Sequence, residues 1–109
     1  TKIMKKRFYH KLVRDRIPEI IEKTGKQYQV RQVCQDELQD YALKKLREEV
    51  QEFIENPCPE EAGDILEILE FICARAGIKH SLVVAHQSAK RITKGSFDMG
   101  FVLEWAEDQ

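Results

Sequence analysis

Apolar residues recur along this chain in blocks with helical spacing, and Gly or Pro falls between the blocks. Residues 15–24 are predicted as a first helix: Ile17, Ile20 and Ile21 share a face, Asp15 supplies an N-cap, Pro18 fits the first turn and Gly25 stops it. Residues 26–33 alternate weakly through Tyr28, Val30 and Val33, which predicts an extended connector or a short edge strand. A second helix is predicted over 36–55, where Leu38, Tyr41, Ala42, Leu46, Val50, Phe53 and Ile54 recur with the helical period. Asn56-Pro57-Cys58-Pro59 breaks it. A third helix is predicted over 59–76, carrying Ile65, Leu66, Ile68, Leu69, Ile72 and Cys73, with Gly77 at its end. A fourth is predicted over 81–93, with Ser81 as N-cap and Gly95 beyond its end. In the tail 96–109, Phe97, Met99, Phe101, Leu103 and Trp105 alternate, which predicts an extended segment packed on one side; a short fifth helix over 102–106 is the alternative. The expected class is all-α, a bundle of four to five helices with a short extended connector and tail. The break between the second and third helices is short enough to make them antiparallel neighbours.

Four carboxylates change this picture from architecture to chemistry. They lie in two runs, Glu48-Glu49-Val50-Gln51-Glu52 and Glu60-Glu61-Ala62-Gly63-Asp64. Glu49 and Glu52 are three apart, as are Glu61 and Asp64, so each pair shares a helix face. At about 100° per residue, Glu49 falls near the angular position of Leu38 and Ala42, and Glu52 lies about 60° from it. Glu61 and Asp64 bracket the side that carries Ile65 and Ile68. These acids therefore project toward the seam between the two helices, where charge is expensive unless paired or bound to a cation. Glu-rich helical stretches are usually solvated faces; placement at the seam distinguishes these four from Glu55, Glu67 and Glu70, which fall on outer faces. An all-oxygen cluster suits Mg2+, with Mn2+ as the alternative. The chemistry attached to such a site is attack of water on a phosphate chain. Glu48 points about 100° away from Glu49; it orients water, acts as a base, or pairs with a lysine.

Bulk composition narrows the classes further. The 109 residues fit one domain, expected over 9–109 behind a flexible lead at 1–8. They are 42% hydrophobic and 34% charged, which supports a core and argues against disorder. The formal net charge of −1 argues against a general nucleic-acid binder. Cys34, Cys58 and Cys73 form no CxxC or Cys/His zinc pattern and read as free thiols of a cytoplasmic chain. Lys5, Lys6 and Arg7 precede Phe8-Tyr9-His10 rather than an apolar run, so no signal peptide is expected. No apolar run is long enough for a membrane span.

The pattern Glu48-Glu49-x-x-Glu52 followed by Glu61-x-x-Asp64 resembles the EExxE…ExxD signature of the MazG-like all-α nucleotide pyrophosphohydrolases. Two stretches, Lys11-Leu12-Val13-Arg14-Asp15-Arg16-Ile17-Pro18-Glu19-Ile20-Ile21 and Lys90-Arg91-Ile92-Thr93-Lys94-Gly95-Ser96-Phe97, resemble its phosphoribosyl-ATP pyrophosphohydrolase-like subgroup. The resemblance spans about residues 9–104. It implies a bundle of the all-α NTP pyrophosphatase type that uses Mg2+ to cut a nucleoside triphosphate between its α and β phosphates, releasing monophosphate and pyrophosphate. It implies Glu49, Glu52, Glu61 and Asp64 as metal ligands, Glu48 and Glu49 as the catalytic pair, and a homodimer or homotetramer. Eight residues separate Glu52 from Glu61, fewer than the family usually shows, and Glu60 then stands as the substitute for Glu61.

A triphosphate also needs cations from the protein. Arg14 and Arg16 flank the start of the first helix, and Lys90, Arg91 and Lys94 lie at the end of the fourth; all five are candidate phosphate contacts. The latter three also suit the negative end of their own helix. Phe8, Tyr9, Phe97 and Trp105 are candidates for stacking on a base, though aromatics are more often core. His10, His80 and His86 show no paired spacing, and no nucleophile–base arrangement is present, so direct attack by water is favoured over a covalent route. Three functions therefore stand: nucleotide-pool house-cleaning by an NTP pyrophosphohydrolase, phosphoribosyl-ATP hydrolysis in histidine biosynthesis, or a helical interaction module without catalysis. The wide apolar run Leu82-Val83-Val84-Ala85 predicts contact with another subunit.

Overall fold

The computed structural model describes residues 5–108 and is all-helical, with four helices and no strand among the described residues. The helices are α1 (Ile17–Lys23), α2 (Gln35–Glu55), α3 (Pro59–Arg75) and α4 (His80–Lys94). The chain divides into two compact units, Thr1–Ile72 and Cys73–Gln109. Of the lead expected at 1–8, residues 1–4 lie outside the described residues, and 5–8 are exposed coil. No helix among the described residues is long and apolar enough to cross a membrane.

The first unit is built on α2 and the part of α3 up to Ile72. α2 starts at Gln35 after an extended Cys34, with Asp36 and Glu37 in the first turn where the helix dipole favours acids. It closes at Asn56, whose N–H reaches the Glu52 carbonyl. Residues 56–58 alone separate it from α3, so the end of α2 stands beside the start of α3. Among the described residues only Ala42, Ile68 and Glu49 are buried. Ala42 and Glu49 are seven apart, two turns along one face of α2. The inner stripe of α2 is thus apolar at Ala42 and acidic at Glu49, and α3 runs from Glu61 and Asp64 to Ile68.

Two expected caps are corrected. α1 begins at Ile17 behind Arg16, not at Asp15, because a turn from the Ile17 N–H to the Arg14 carbonyl (3.1 Å) precedes the helix. α4 begins at His80 behind an extended Lys79, so Ser81 is inside the helix rather than capping it. The stretch 26–33 is coil and not a strand; with no neighbouring strand there is no ladder to join.

In the second unit α3 ends in a Schellman turn: the Ile78 N–H meets the Cys73 carbonyl at 2.8 Å, the Gly77 N–H meets that of Ala74 at 3.2 Å, and Gly77 takes φ +73°. The tail is neither packed on one side nor helical over 102–106. Phe97, Met99, Phe101, Leu103 and Trp105 are all exposed, and α4 in the same unit leaves Leu82, Val84 and Ile92 exposed as well.

Candidate metal centre

The facing ends of α2 and α3 concentrate carboxylate oxygens. Glu48, Glu49 and Glu52 each offer one oxygen within 4.8 Å of the others, and so do Glu49, Glu61 and Asp64. Glu49 belongs to both groups and joins the two helices. It is also the most enclosed charge among the described residues, with 5% of its surface exposed. Its Oε1 accepts a hydrogen bond from Lys45 Nζ at 3.1 Å. Its Oε2 and the Oε2 of Glu61 are buried and have no hydrogen-bond partner. A buried anionic oxygen without a partner carries a desolvation cost that nothing offsets. Two of them on facing helices, among further carboxylates, form a set that a divalent cation would satisfy at once. The donors are all oxygen, which suits a hard cation.

Three cations already temper the cluster. Lys11 Nζ contacts Glu48 Oε1 at 2.8 Å, and Lys45 Nζ reaches the same oxygen at 3.3 Å. Arg14 Nη2 meets Asp64 Oδ1 at 2.8 Å. Lys11 and Lys45 act on the titration of Glu48. Partial burial would raise the Glu48 carboxyl, but Lys11 and Lys45 outweigh it and hold the group below the usual range. Burial would likewise lower Lys45, and Glu49 and Glu48 reverse that to raise it. Glu52 is pushed up, first by burial, then by the adjoining Glu49 carboxylate and the negative charges of Glu48 and Glu61. One site thus holds a carboxylate kept ionised and another that resists ionisation.

No family model matches the chain, and no curated protein or solved structure matches it. The carboxylate oxygens at the facing ends of α2 and α3 alone define the candidate centre.

The structure brings together Glu48, Glu49, Glu52, Glu61 and Asp64, and it places Arg14 on the cluster's edge. Glu60 is exposed and outside both groups, whereas Glu61 turns an oxygen inward. Glu48 pairs with lysines, one of the three roles open to it, yet one of its oxygens still lies with those of Glu49 and Glu52. Arg16 stands apart, 3.7 Å from Glu19 on an exposed face. Lys90, Arg91 and Lys94 belong to the second unit, where they line an open groove of about 590 Å3 with Gln87 and residues 95–98. Sequence reasoning missed Lys45 and the ion pair of Lys11. The signal for Lys45 was its spacing, three and four residues before Glu48 and Glu49, which puts all three on one side of α2.

Proposed function

We propose that this chain is a Mg2+-dependent nucleoside triphosphate pyrophosphohydrolase of the all-α type, cutting between the α and β phosphates to release a nucleoside monophosphate and pyrophosphate. The observation that carries the reading is the pair of buried, unpartnered oxygens, Glu49 Oε2 on α2 and Glu61 Oε2 on α3, in residues that also bring carboxylate oxygens within 4.8 Å of one another and of Asp64. Acids that served only solubility would put their oxygens in water.

In this reading Glu49, Glu52, Glu61 and Asp64 hold the ion, with Mn2+ as an alternative to Mg2+. When bound, the ion supplies charge neutralisation for the phosphate chain and acidifies water at the reacting phosphorus. Glu49 spans both oxygen groups and keeps α2 and α3 in register. Glu48, gripped by Lys11 and Lys45, stays ionised and fixes the outer edge of the cluster. Arg14 spends one N–H on Asp64 and retains further donors for a phosphate oxygen. Arg16, Lys90, Arg91 and Lys94 are the remaining phosphate candidates by charge. House-cleaning of the nucleotide pool is the proposed role. We propose self-association into a homodimer or homotetramer through the exposed apolar residues of the second unit.

The test is a screen of canonical and damaged nucleoside triphosphates with Mg2+, scored for pyrophosphate against orthophosphate. Pyrophosphate release that vanishes in Glu49→Gln and Asp64→Asn supports the reading. Orthophosphate alone, or no binding of Mg2+ or Mn2+ by calorimetry, overturns it.

A further inference from the structure

We propose that Lys45 is a positioning residue that restricts Glu49 to coordination through one oxygen, and so sets the site's preference for a small octahedral cation over Ca2+. This rests on the metal reading above and adds to it which ion is excluded, and how.

Lys45 Nζ lies 3.1 Å from Glu49 Oε1 and 3.3 Å from Glu48 Oε1, with side-chain exposures of 17%, 7% and 27% for the three residues. An ammonium has three donors, and two are spent on these carboxylates. Glu49 Oε1 is therefore engaged, and Oε2 is the oxygen left without a partner. The alternative, a helix-supporting ion pair, explains the geometry poorly. Lys stands before Glu here, the weaker order for helix support, and a support pair sits on the solvated face rather than beside the most buried charge among the described residues.

The consequence follows from how the two ions take oxygen. Ca2+ accepts about six to eight oxygens at roughly 2.3–2.6 Å and often takes a carboxylate through both of its oxygens. Mg2+ demands near-octahedral geometry at about 2.0–2.1 Å and takes carboxylates one oxygen at a time, keeping waters. A two-oxygen grip by Glu49 would require Lys45 to leave Oε1 and would press an ammonium against a divalent ion.

The experiment is calorimetric titration of the full chain with Mg2+ and with Ca2+, in the wild type, Lys45→Met and Lys45→Arg. The wild type is expected to prefer Mg2+. Lys45→Met is expected to lower that preference by about tenfold, mostly by tightening Ca2+, because both Glu49 oxygens are then free. Lys45→Arg, which restores a cation on Oε1, is expected to keep the wild-type ratio. A purely structural role would weaken both ions in parallel and leave the ratio unmoved, and that result overturns the proposal. A wild type that binds Ca2+ as tightly as Mg2+ overturns it without any variant. A wild type that binds neither ion removes the metal reading itself, an outcome distinct from an unchanged ratio.

Discussion

The two units of this chain use their residues in opposite ways. In the first, the deepest positions are Ala42, Ile68 and Glu49, so one of three buried residues is an acid. In the second, every described residue from 74 to 108 is exposed, although Leu82, Ile92, Phe97, Phe101 and Trp105 are among them. Burying a carboxylate is costly, and leaving large apolar side chains in water forgoes the main source of folding energy. The first unit sets its buried acid beside Lys45, whose ammonium pairs with one of the two oxygens. The second, whose helix packs no face of its own, has stability to gain from a surface it does not itself supply.

The largest expected effect separates the units by chemistry. Glu49→Gln and Asp64→Asn each remove one negative oxygen donor while keeping shape. Both should lower the rate of pyrophosphate release by roughly 100-fold or more. The matching change in the second unit, Glu104→Gln, should leave the rate alone. A rate loss in Glu104→Gln equal to that in Glu49→Gln would erase the distinction.

Next in size is the fate of the second unit's apolar surface. Ile92 is 85% exposed on α4 and Trp105 81% exposed in the tail. If a second copy covers them, Ile92→Lys and Trp105→Ala should weaken self-association by about 30-fold or more, as central apolar anchors do. Sedimentation across micromolar concentrations reads this directly. Val50, exposed at the outer side of α2, is the control, and Val50→Lys should leave the sedimentation profile unchanged. A wild-type chain that stays monomeric at those concentrations would remove the premise.

The same contrast decides how much was legible in the sequence. α2 and α3 were readable because their apolar period is strong and the break at 56–58 is unambiguous; the structure moves α2 by one residue at its start and α3 by one at its end. The acids were readable because helical geometry converts a spacing of three into a shared face. That Glu61 rather than Glu60 turns inward follows from the pitch of α3, which places Glu61 in line with Ile68. Long-range ion pairs left no such trace. Arg14 meets Asp64 fifty positions away, and Lys11 meets Glu48 across thirty-seven. Both contacts depend on how coil residues pass over a helix pair, which no local period encodes. The alternation in the tail predicted a packed face, but alternation describes only which side chains share a side, and a packing surface must exist as well.

A smaller effect tests the cations at the cluster's edge. Arg14 and Asp64 are well exposed at the side chain, 58% and 39%. Water screens such a pair, so Arg14→Ala should cost below about 1 kcal/mol in stability. If Arg14 also grips phosphate, the same change should raise KM for the triphosphate about tenfold, and Arg14→Lys should recover only part of it, because an ammonium lacks the planar fork. Arg16→Ala removes a side chain that pairs with the exposed Glu19 rather than with the clustered acids, and should raise KM less than Arg14→Ala does. Equal KM changes in the two variants would deny Arg14 its special place.

The smallest expected effect is a pH dependence that only the first unit should show. Glu52 is raised above its ordinary 4.5 by burial and by Glu49, Glu48 and Glu61. A raised carboxyl binds its proton more tightly in the folded state, so this contribution to stability is present below 4.5 and is lost as pH rises through the elevated value. Glu48 runs the other way. Burial alone would raise it, but Lys11 and Lys45 hold it below 4.5, so its contribution is present above that value and lost as pH falls through the depressed one. Thermal melts of the metal-free protein should therefore decline gently on the alkaline side of 4.5, and more steeply on the acid side where other carboxylates also protonate. Saturating Mg2+ should abolish the alkaline-side decline, because the ion replaces the proton as the positive charge among these oxygens. Glu52→Gln should abolish it as well while leaving the acid side unchanged. If Mg2+ leaves the alkaline-side slope of the wild type untouched, the cation and the proton do not compete for the same oxygens, and the clustered acids of α2 and α3 need another explanation.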